Sequence, residues 1–184
     1  MMAIRARSGA PRREGGAAAV EFALVLPLLL LLIFGIIDYG MFFFDSIGMR
    51  QGAREAARSA VVLRVDATAC GSTISYDNIA CTARTGSNNI LGKAAGAVTG
   101  GGPAQVKVYM KLQTNGSNAA GWVQGNQFVM CTQVAEKPAT GFVPFPANGI
   151  MTSKVVMSIE SAASAPSGSL VTDAAPAGGD WTWC

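Results

Sequence analysis

Two groups of residues in this sequence could take part in chemistry: a carboxylate beside a junction of small residues, and a set of cysteines. Glu21 stands at the start of a long apolar run, and Gly15 and Gly16 lie just before it. A carboxylate in hydrocarbon costs about 2.5–3.5 kcal/mol, so Glu21 needs a partner or a place near the interface. Cleavage after Gly16 would leave a new α-amino group on Ala17, one helical turn before Glu21. This ammonium could pair with Glu21 of its own chain or with Glu21 of a neighbouring copy.

The cysteines all follow the apolar run; they are Cys70, Cys81, Cys131 and Cys184. Three disulfide pairings are possible. We favour Cys70 with Cys81, which closes a short loop, and Cys131 with Cys184, which ties the C-terminal residue to a strand. Zinc binding is the alternative, but the sequence has no C-x-x-C and no histidine. Disulfides are therefore favoured, and neither a metal nor another cofactor is expected.

The element that must position Glu21 is the apolar run from Gly16 to Phe44. Its central part, Phe22 to Ile37, has no charged residue, and with its aromatic end the run is long enough to cross the ~30 Å hydrocarbon core as a helix. Asp38 lies about 31 Å along that helix from Ala17, at 1.5 Å per residue. We therefore expect Asp38 and the aromatic residues after it to anchor the helix at the outer interface.

Charge is distributed unevenly around the apolar run. Of 14 basic and 11 acidic residues, four arginines and one glutamate precede Ala17, so the net charge of +3 lies there and the remaining residues balance. Basic residues flanking a membrane helix favour the cytoplasmic side. We expect a cytoplasmic N-terminus, and a body outside that is too evenly charged to bind nucleic acid.

The junction and the helix resemble a known cleavage site and a known family. A glycine, four residues and then Glu-Phe opening an apolar helix, as from Gly16 to Phe22, is similar to the cleavage site of type IV prepilins. The run from Gly15 to Val62 resembles the TadE-like family, the minor pseudopilins of the tight-adherence (Flp) pilus system. The residues that carry this resemblance are Glu21-Phe22, Pro27, Gly35, Asp38-Tyr39-Gly40 and the stretch from Gly52 to Arg58.

This resemblance implies a function and a set of partners. A TadE-like protein would be cleaved by a prepilin peptidase after Gly16. Its helix, with Glu21 and Phe22, would pack against other pilin or pseudopilin subunits and the pilus assembly platform. The implied location is the bacterial inner membrane, single-pass, with the C-terminal domain periplasmic or extracellular and possible incorporation into the pilus. The alternative is an uncleaved single-pass membrane protein that presents a periplasmic binding module.

Motifs typical of enzymes are missing from the sequence. It contains no histidine and no G-x-S-x-G nucleophile motif. Gly86 to Ala94 resembles a phosphate-binding loop superficially, but five residues separate its glycines instead of four and Ala94 replaces the Ser or Thr. We expect neither enzymatic activity nor a small-molecule substrate.

Three regions are predicted along the chain: a cleaved cytoplasmic leader (1–16), a transmembrane and stalk helix (17–64), and a disulfide-bonded extracytoplasmic α+β domain (65–184). A basic stripe, Arg50, Arg54 and Arg58, is expected on one face of the stalk, with a solvated surface as its simplest role.

The extracytoplasmic domain is expected to hold a small antiparallel sheet. Residues 65–89 are predicted to form a loop closed by Cys70 and Cys81, followed by a short helix near 88–98. Period-two alternation predicts strands over 104–114, 127–135 and 152–160. A sheet this small needs a covering element, so we expect a pilin-like α+β fold with the sheet packed on the outer half of the helix. Residues 162–180 are expected to be irregular.

Overall fold

The computed structural model describes residues 15–64, 70–86, 106–119, 121–138, 140–160 and 164–184. Almost all of the predicted leader and the helix expected near 88–98 lie outside the described residues.

The longest element is the helix α1, which runs from Gly15 to Val61 and continues through Pro27. Its 47 residues span about 70 Å. In the N-terminal half the apolar side chains are exposed; Leu24 and Leu28 are 76% and 70% exposed. Within the described part of the chain, α1 is the one helix long and apolar enough to cross a membrane.

The end of α1 has the hydrogen bonds of a Schellman motif. Leu63 takes a positive φ of 54°. Its N–H donates to the Ala60 carbonyl at 3.1 Å, and the N–H of Arg64 donates to the Ser59 carbonyl at 2.8 Å. These two bonds satisfy carbonyls that would otherwise lack partners at the helix terminus, and they turn the chain away from the helix axis.

The sheet has four antiparallel strands in the order β2-β1-β3-β4. Their bounds are Lys107–Thr114 (β1), Ser117–Asn118 (β2), Gln127–Ala135 (β3) and Ile150–Ser158 (β4). Asn115 and Gly116 join β1 to β2 with positive φ angles of 50° and 82°, as a two-residue type I′ hairpin requires. The short β2 was not predicted, but the three longer strands were.

The C-terminal part of α1 packs against this sheet through small residues. Its contacts are with β3 and β4, and four of its alanines, Ala53, Ala56, Ala57 and Ala60, are completely buried. The side chains of these strands in the same core come from alternate positions, such as Phe128 and Met130 of β3 and Val155 of β4, because successive residues of a strand point to opposite faces. The structure thus confirms the predicted α+β fold, a long apolar helix on a small antiparallel sheet.

A second helix, α2 (residues 76–86), lies where the sequence analysis predicted a loop, so that prediction is wrong. The Ser75 hydroxyl caps it by accepting a hydrogen bond from the Asn78 N–H at 3.2 Å. Ile79, Ala80 and Ala83 are completely buried, and this spacing is typical of the inner face of an amphipathic helix. The polar residues between them hid the pattern.

The two disulfides are the favoured ones, Cys70–Cys81 and Cys131–Cys184. The second ties the C-terminal residue to β3. The segment before it lacks regular strands, as predicted, but it is fixed. Its Val171 carbonyl accepts a hydrogen bond from the Met110 N–H, along the part of the edge of β1 that the short β2 does not pair with, and Trp181 stacks on Tyr109 at 5.5 Å. The tail therefore covers the face of the sheet opposite α1.

Candidate processing site and the contacts along the helix

The predicted processing site lies in the first two turns of α1. Gly16, Ala17, Glu21 and Phe22 are all exposed. A Cβ atom added to Gly16 would meet no atom within 4 Å. The fold of this chain therefore imposes no steric need for glycine at position 16, and any such need would come from another molecule.

Glu21 has no cationic partner within the described part of the chain, where the one ion pair joins Arg84 to Asp173 at 2.6 Å. It lies four residues after Ala17 in a continuous helix, so an α-amino group at Ala17 would be on the same face, one turn away. The exposed apolar side chains around it, such as Phe22 and Val25, are 61% and 57% exposed. The carboxylate is thus available to an amine of its own chain or of a neighbour.

Asp38 makes contacts within the fold that the sequence analysis did not predict, and its place at the outer membrane interface stays a prediction. Its side chain is completely buried. One carboxylate oxygen accepts a hydrogen bond from the Thr140 N–H at 2.9 Å, and the other accepts one from the Thr140 hydroxyl at 2.5 Å. Asp38 therefore binds the connection between β3 and β4 to α1.

We call residues 140–145 of this connection the aromatic loop. It runs along α1 back toward the N-terminal half of the helix. The Tyr39 hydroxyl donates to the Pro144 carbonyl at 3.3 Å. The rings of Phe42 and Phe145 lie 4.8 Å apart, and those of Phe34 and Phe142 stack at 5.1 Å. The loop thus follows about two turns of α1.

Gly149 closes the connection that carries the aromatic loop. Its carbonyl accepts a hydrogen bond from the Glu136 N–H at 2.9 Å, and its φ is 78°. An added Cβ atom would lie 1.9 Å from the Glu136 carbonyl oxygen. Only glycine fits this position, because any side chain would collide with the backbone.

Two further carboxylates, Asp45 and Glu136, are buried where α1 meets the end of β3. They are 3% and 8% exposed. One oxygen of each accepts no hydrogen bond from the described residues. Burial, and then the charge of Asp45, raise the pKa of Glu136 from 4.5 to about 7. The sequence analysis missed this pair, because residues 91 positions apart gave no local signal.

The basic stripe of Arg50, Arg54 and Arg58 is exposed, as predicted. It lies on the side of α1 away from the sheet, since the alanines between these arginines are buried against β3 and β4.

The fold and the junction define an α+β protein built on one long N-terminal helix, half of which has an exposed apolar surface that suggests membrane anchoring. The family model for TadE-like proteins matches residues 16–58. The match confirms the resemblance seen in the sequence, covers the helix from the junction to Arg58, and suggests involvement in Tad pilus systems. No curated protein and no solved structure matches the chain.

Proposed function

We propose that this protein is a minor pilin-like subunit, a pseudopilin, of a tight-adherence type IV pilus. A prepilin peptidase cleaves it after Gly16, and α1 then packs with other pilin or pseudopilin subunits in the pilus or at its base. The observation that carries the proposal is the TadE-like match over residues 16–58, which begins at the small-residue junction and includes the exposed Glu21.

Membrane insertion before assembly follows from the exposed surface of α1. Exposure of the apolar side chains Leu24, Leu28 and Ile36, the last of them 65% exposed, is unfavourable in water and favourable among acyl chains. The basic residues before Ala17 remain on the cytoplasmic side, and the disulfide-bonded domain occupies the oxidising side. In a fibre, the same apolar surface would contact the helices of neighbouring subunits.

Processing is tested by N-terminal sequencing of the protein extracted from membranes of cells with an active prepilin peptidase. We expect the mature chain to begin at Ala17. Gly16→Leu should block cleavage by crowding the scissile bond. Gly40→Leu is the matched control, because an added Cβ at Gly40 of the same helix also meets no atom within 4 Å. An intact leader on the unsubstituted protein would contradict the pseudopilin function and favour the uncleaved membrane protein.

The role of Glu21 is tested separately from cleavage. Glu21→Ala should still be cleaved but should assemble poorly, because the new ammonium would lack its carboxylate in a medium of low dielectric constant. The control is Glu55→Ala, which removes an exposed carboxylate from the outer half of α1. Pili sheared from the cells and quantified by electron microscopy give the result. Full piliation with Glu21→Ala would show that the pairing is not needed.

A further inference from the structure

We propose that the aromatic loop, residues 140–145, inserts into the membrane leaflet nearest the β-sheet domain. The loop would give the protein a second membrane contact in addition to α1. The inference rests on the proposed function in one respect, that α1 crosses the membrane. The partner it commits to is the acyl chains of that leaflet.

Depth along α1 is the first argument. The ring of Phe142 stacks on Phe34 with centroids 5.1 Å apart and planes at 11°. Phe34 lies about 18 Å along the helix axis from Phe22 and about 26 Å from Ala17, at 1.5 Å per residue. The hydrocarbon core is about 30 Å thick. Phe34 therefore lies inside hydrocarbon whichever of these residues marks the entrance, and a tilted helix would hold it deeper.

Exposure is the second argument. Phe142 remains 68% exposed although one of its faces is covered by Phe34. Phe43 and Phe44, which follow on the same helix, are 61% and 52% exposed. The loop therefore adds an uncovered aromatic side chain to an apolar surface that is continuous with the membrane segment. Acyl chains are the surroundings that both surfaces would share.

The polar groups of the loop are the third argument. Irregular backbone at membrane depth needs internal partners for its N–H and C=O groups, and two N–H groups and one carbonyl of the loop have such a partner. The Thr140 N–H donates to Asp38, and the Phe142 N–H donates to the Thr140 hydroxyl at 3.4 Å. Pro144 has no N–H, and its carbonyl accepts the Tyr39 hydroxyl. The buried Asp38 is thus a positioning residue that holds the loop on the helix.

Photo-crosslinking tests the inference on the full chain in vesicles of phosphatidylethanolamine and phosphatidylglycerol. Benzoylphenylalanine is placed at position 142, at position 28 within the apolar half of α1, or at position 123. Val123 is 54% exposed, but it follows Trp122, which packs near the end of α1 with Tyr76 and Phe128, away from the membrane segment. We expect lipid adducts at positions 142 and 28 and none at position 123.

The other outcomes separate the inference from the proposed function. Adducts at position 28 with none at position 142 would overturn the insertion of the loop and leave the membrane helix in place. No adduct at either position would overturn both. Equal yields at positions 142 and 123 would also overturn the inference, since they would show general adhesion of the domain.

A substitution of Thr140, which binds the loop to Asp38, gives a second test. Thr140→Val removes the hydroxyl that bonds both Asp38 and the Phe142 N–H. It should cause loss of the lipid adduct at position 142 and leave the adduct at position 28 unchanged. Thr114→Val is the matched control, because the Thr114 hydroxyl bonds Asn126 elsewhere in the domain. An undiminished adduct at position 142 with Thr140→Val would show that this anchor does not hold the loop.

Discussion

The two halves of α1 differ in what surrounds them, although they form one uninterrupted helix. Residues 16–44 carry apolar side chains around most of the circumference, and most of them are exposed. Residues 45–61 have one buried face of small residues and one exposed face with three arginines. A helix that is apolar all round is typical of a membrane, and an amphipathic helix is typical of a protein surface. The comparison suggests that the two halves of one helix are suited to two different environments.

Buried carboxylates mark the boundary between these two halves. Asp38 has both oxygens bonded by Thr140, whereas Asp45 has one oxygen without a partner among the described residues. Each lies where a segment of the domain meets the helix. The difference suggests that Asp38 contributes to holding the domain on α1, while the Asp45 and Glu136 pair lowers its stability when both are charged.

The largest predicted effect is a loss of stability in the disulfide-bonded domain that leaves the apolar half of α1 folded. Cys184→Ser opens the bond to Cys131, which closes a loop with a sequence separation of 53. The chain-entropy model assigns such a bond about 4 kcal/mol of unfolding free energy. In detergent-solubilised full-length protein, the near-ultraviolet signal of Trp181 and Trp183 should therefore melt at a lower temperature. The helical signal from residues 16–44 should persist.

The other disulfide is the control for this prediction. Cys70–Cys81 has a sequence separation of only 11, so Cys70→Ser should cost less, about 3 kcal/mol by the same model. It should also leave the tail and its tryptophans in place. An equal effect of the two substitutions would contradict the dependence on loop length. Loss of all helical signal with Cys184→Ser would show that the two halves do not unfold separately.

Most of the fold could be predicted from the sequence because its signals are local. The apolar run predicted α1, and period-two alternation predicted the three long strands. The short spacing between Cys70 and Cys81 favoured the disulfide pairing that the structure has. The helix α2 was missed because Ser75 and the spacing of Tyr76, Ile79, Ala80 and Ala83 were read as part of a polar loop. Those residues contained the signal, a cap followed by an amphipathic face.

The contacts along α1 could be predicted less well because they join distant parts of the chain. The sequence predicts a place for Asp38 at the outer interface, which stays a prediction. It did not show that Thr140, 102 positions away, would bind that carboxylate. The aromatic residues of the loop, Phe142 and Phe145, gave a compositional hint, since such residues are unusual in a solvated connection. The processing junction at Gly16 and Ala17 and its cleavage both stay predictions.

The next predicted effect is a pH-dependent change in stability caused by Glu136, which is buried next to α1. Because the pKa of Glu136 rises from 4.5 to about 7 on folding, its protonated form stabilises the folded domain. This contribution is complete below pH 4.5 and is lost as the pH rises through 7. Glu136→Gln should reduce the decrease in unfolding free energy between pH 4.5 and pH 8. At pH 8 it should raise the unfolding free energy by at most about 3 kcal/mol. Thermal melts from pH 4.5 to 8 measure it.

Glu160→Gln is the control, because Glu160 is an exposed carboxylate and its substitution should leave the pH dependence as it is. Stability that rises with pH in the unsubstituted protein over this window would contradict the assignment to Glu136.

The smallest predicted effect is the change in domain stability when the size of a side chain is altered in one half of α1 or in the other. Ala57 is completely buried against the sheet, whereas Leu32 is 54% exposed in the apolar half. Ala57→Leu inserts extra carbons into a packed core and should lower the unfolding free energy of the domain by about 1–3 kcal/mol. Leu32→Ala removes carbons where the chain has no fixed neighbours, so the melting temperature of the domain should stay unchanged in detergent. If Leu32→Ala destabilised the domain as much as Ala57→Leu, the apolar half would have to pack against the chain itself. The distinction between a membrane-facing half and a domain-facing half would then fail.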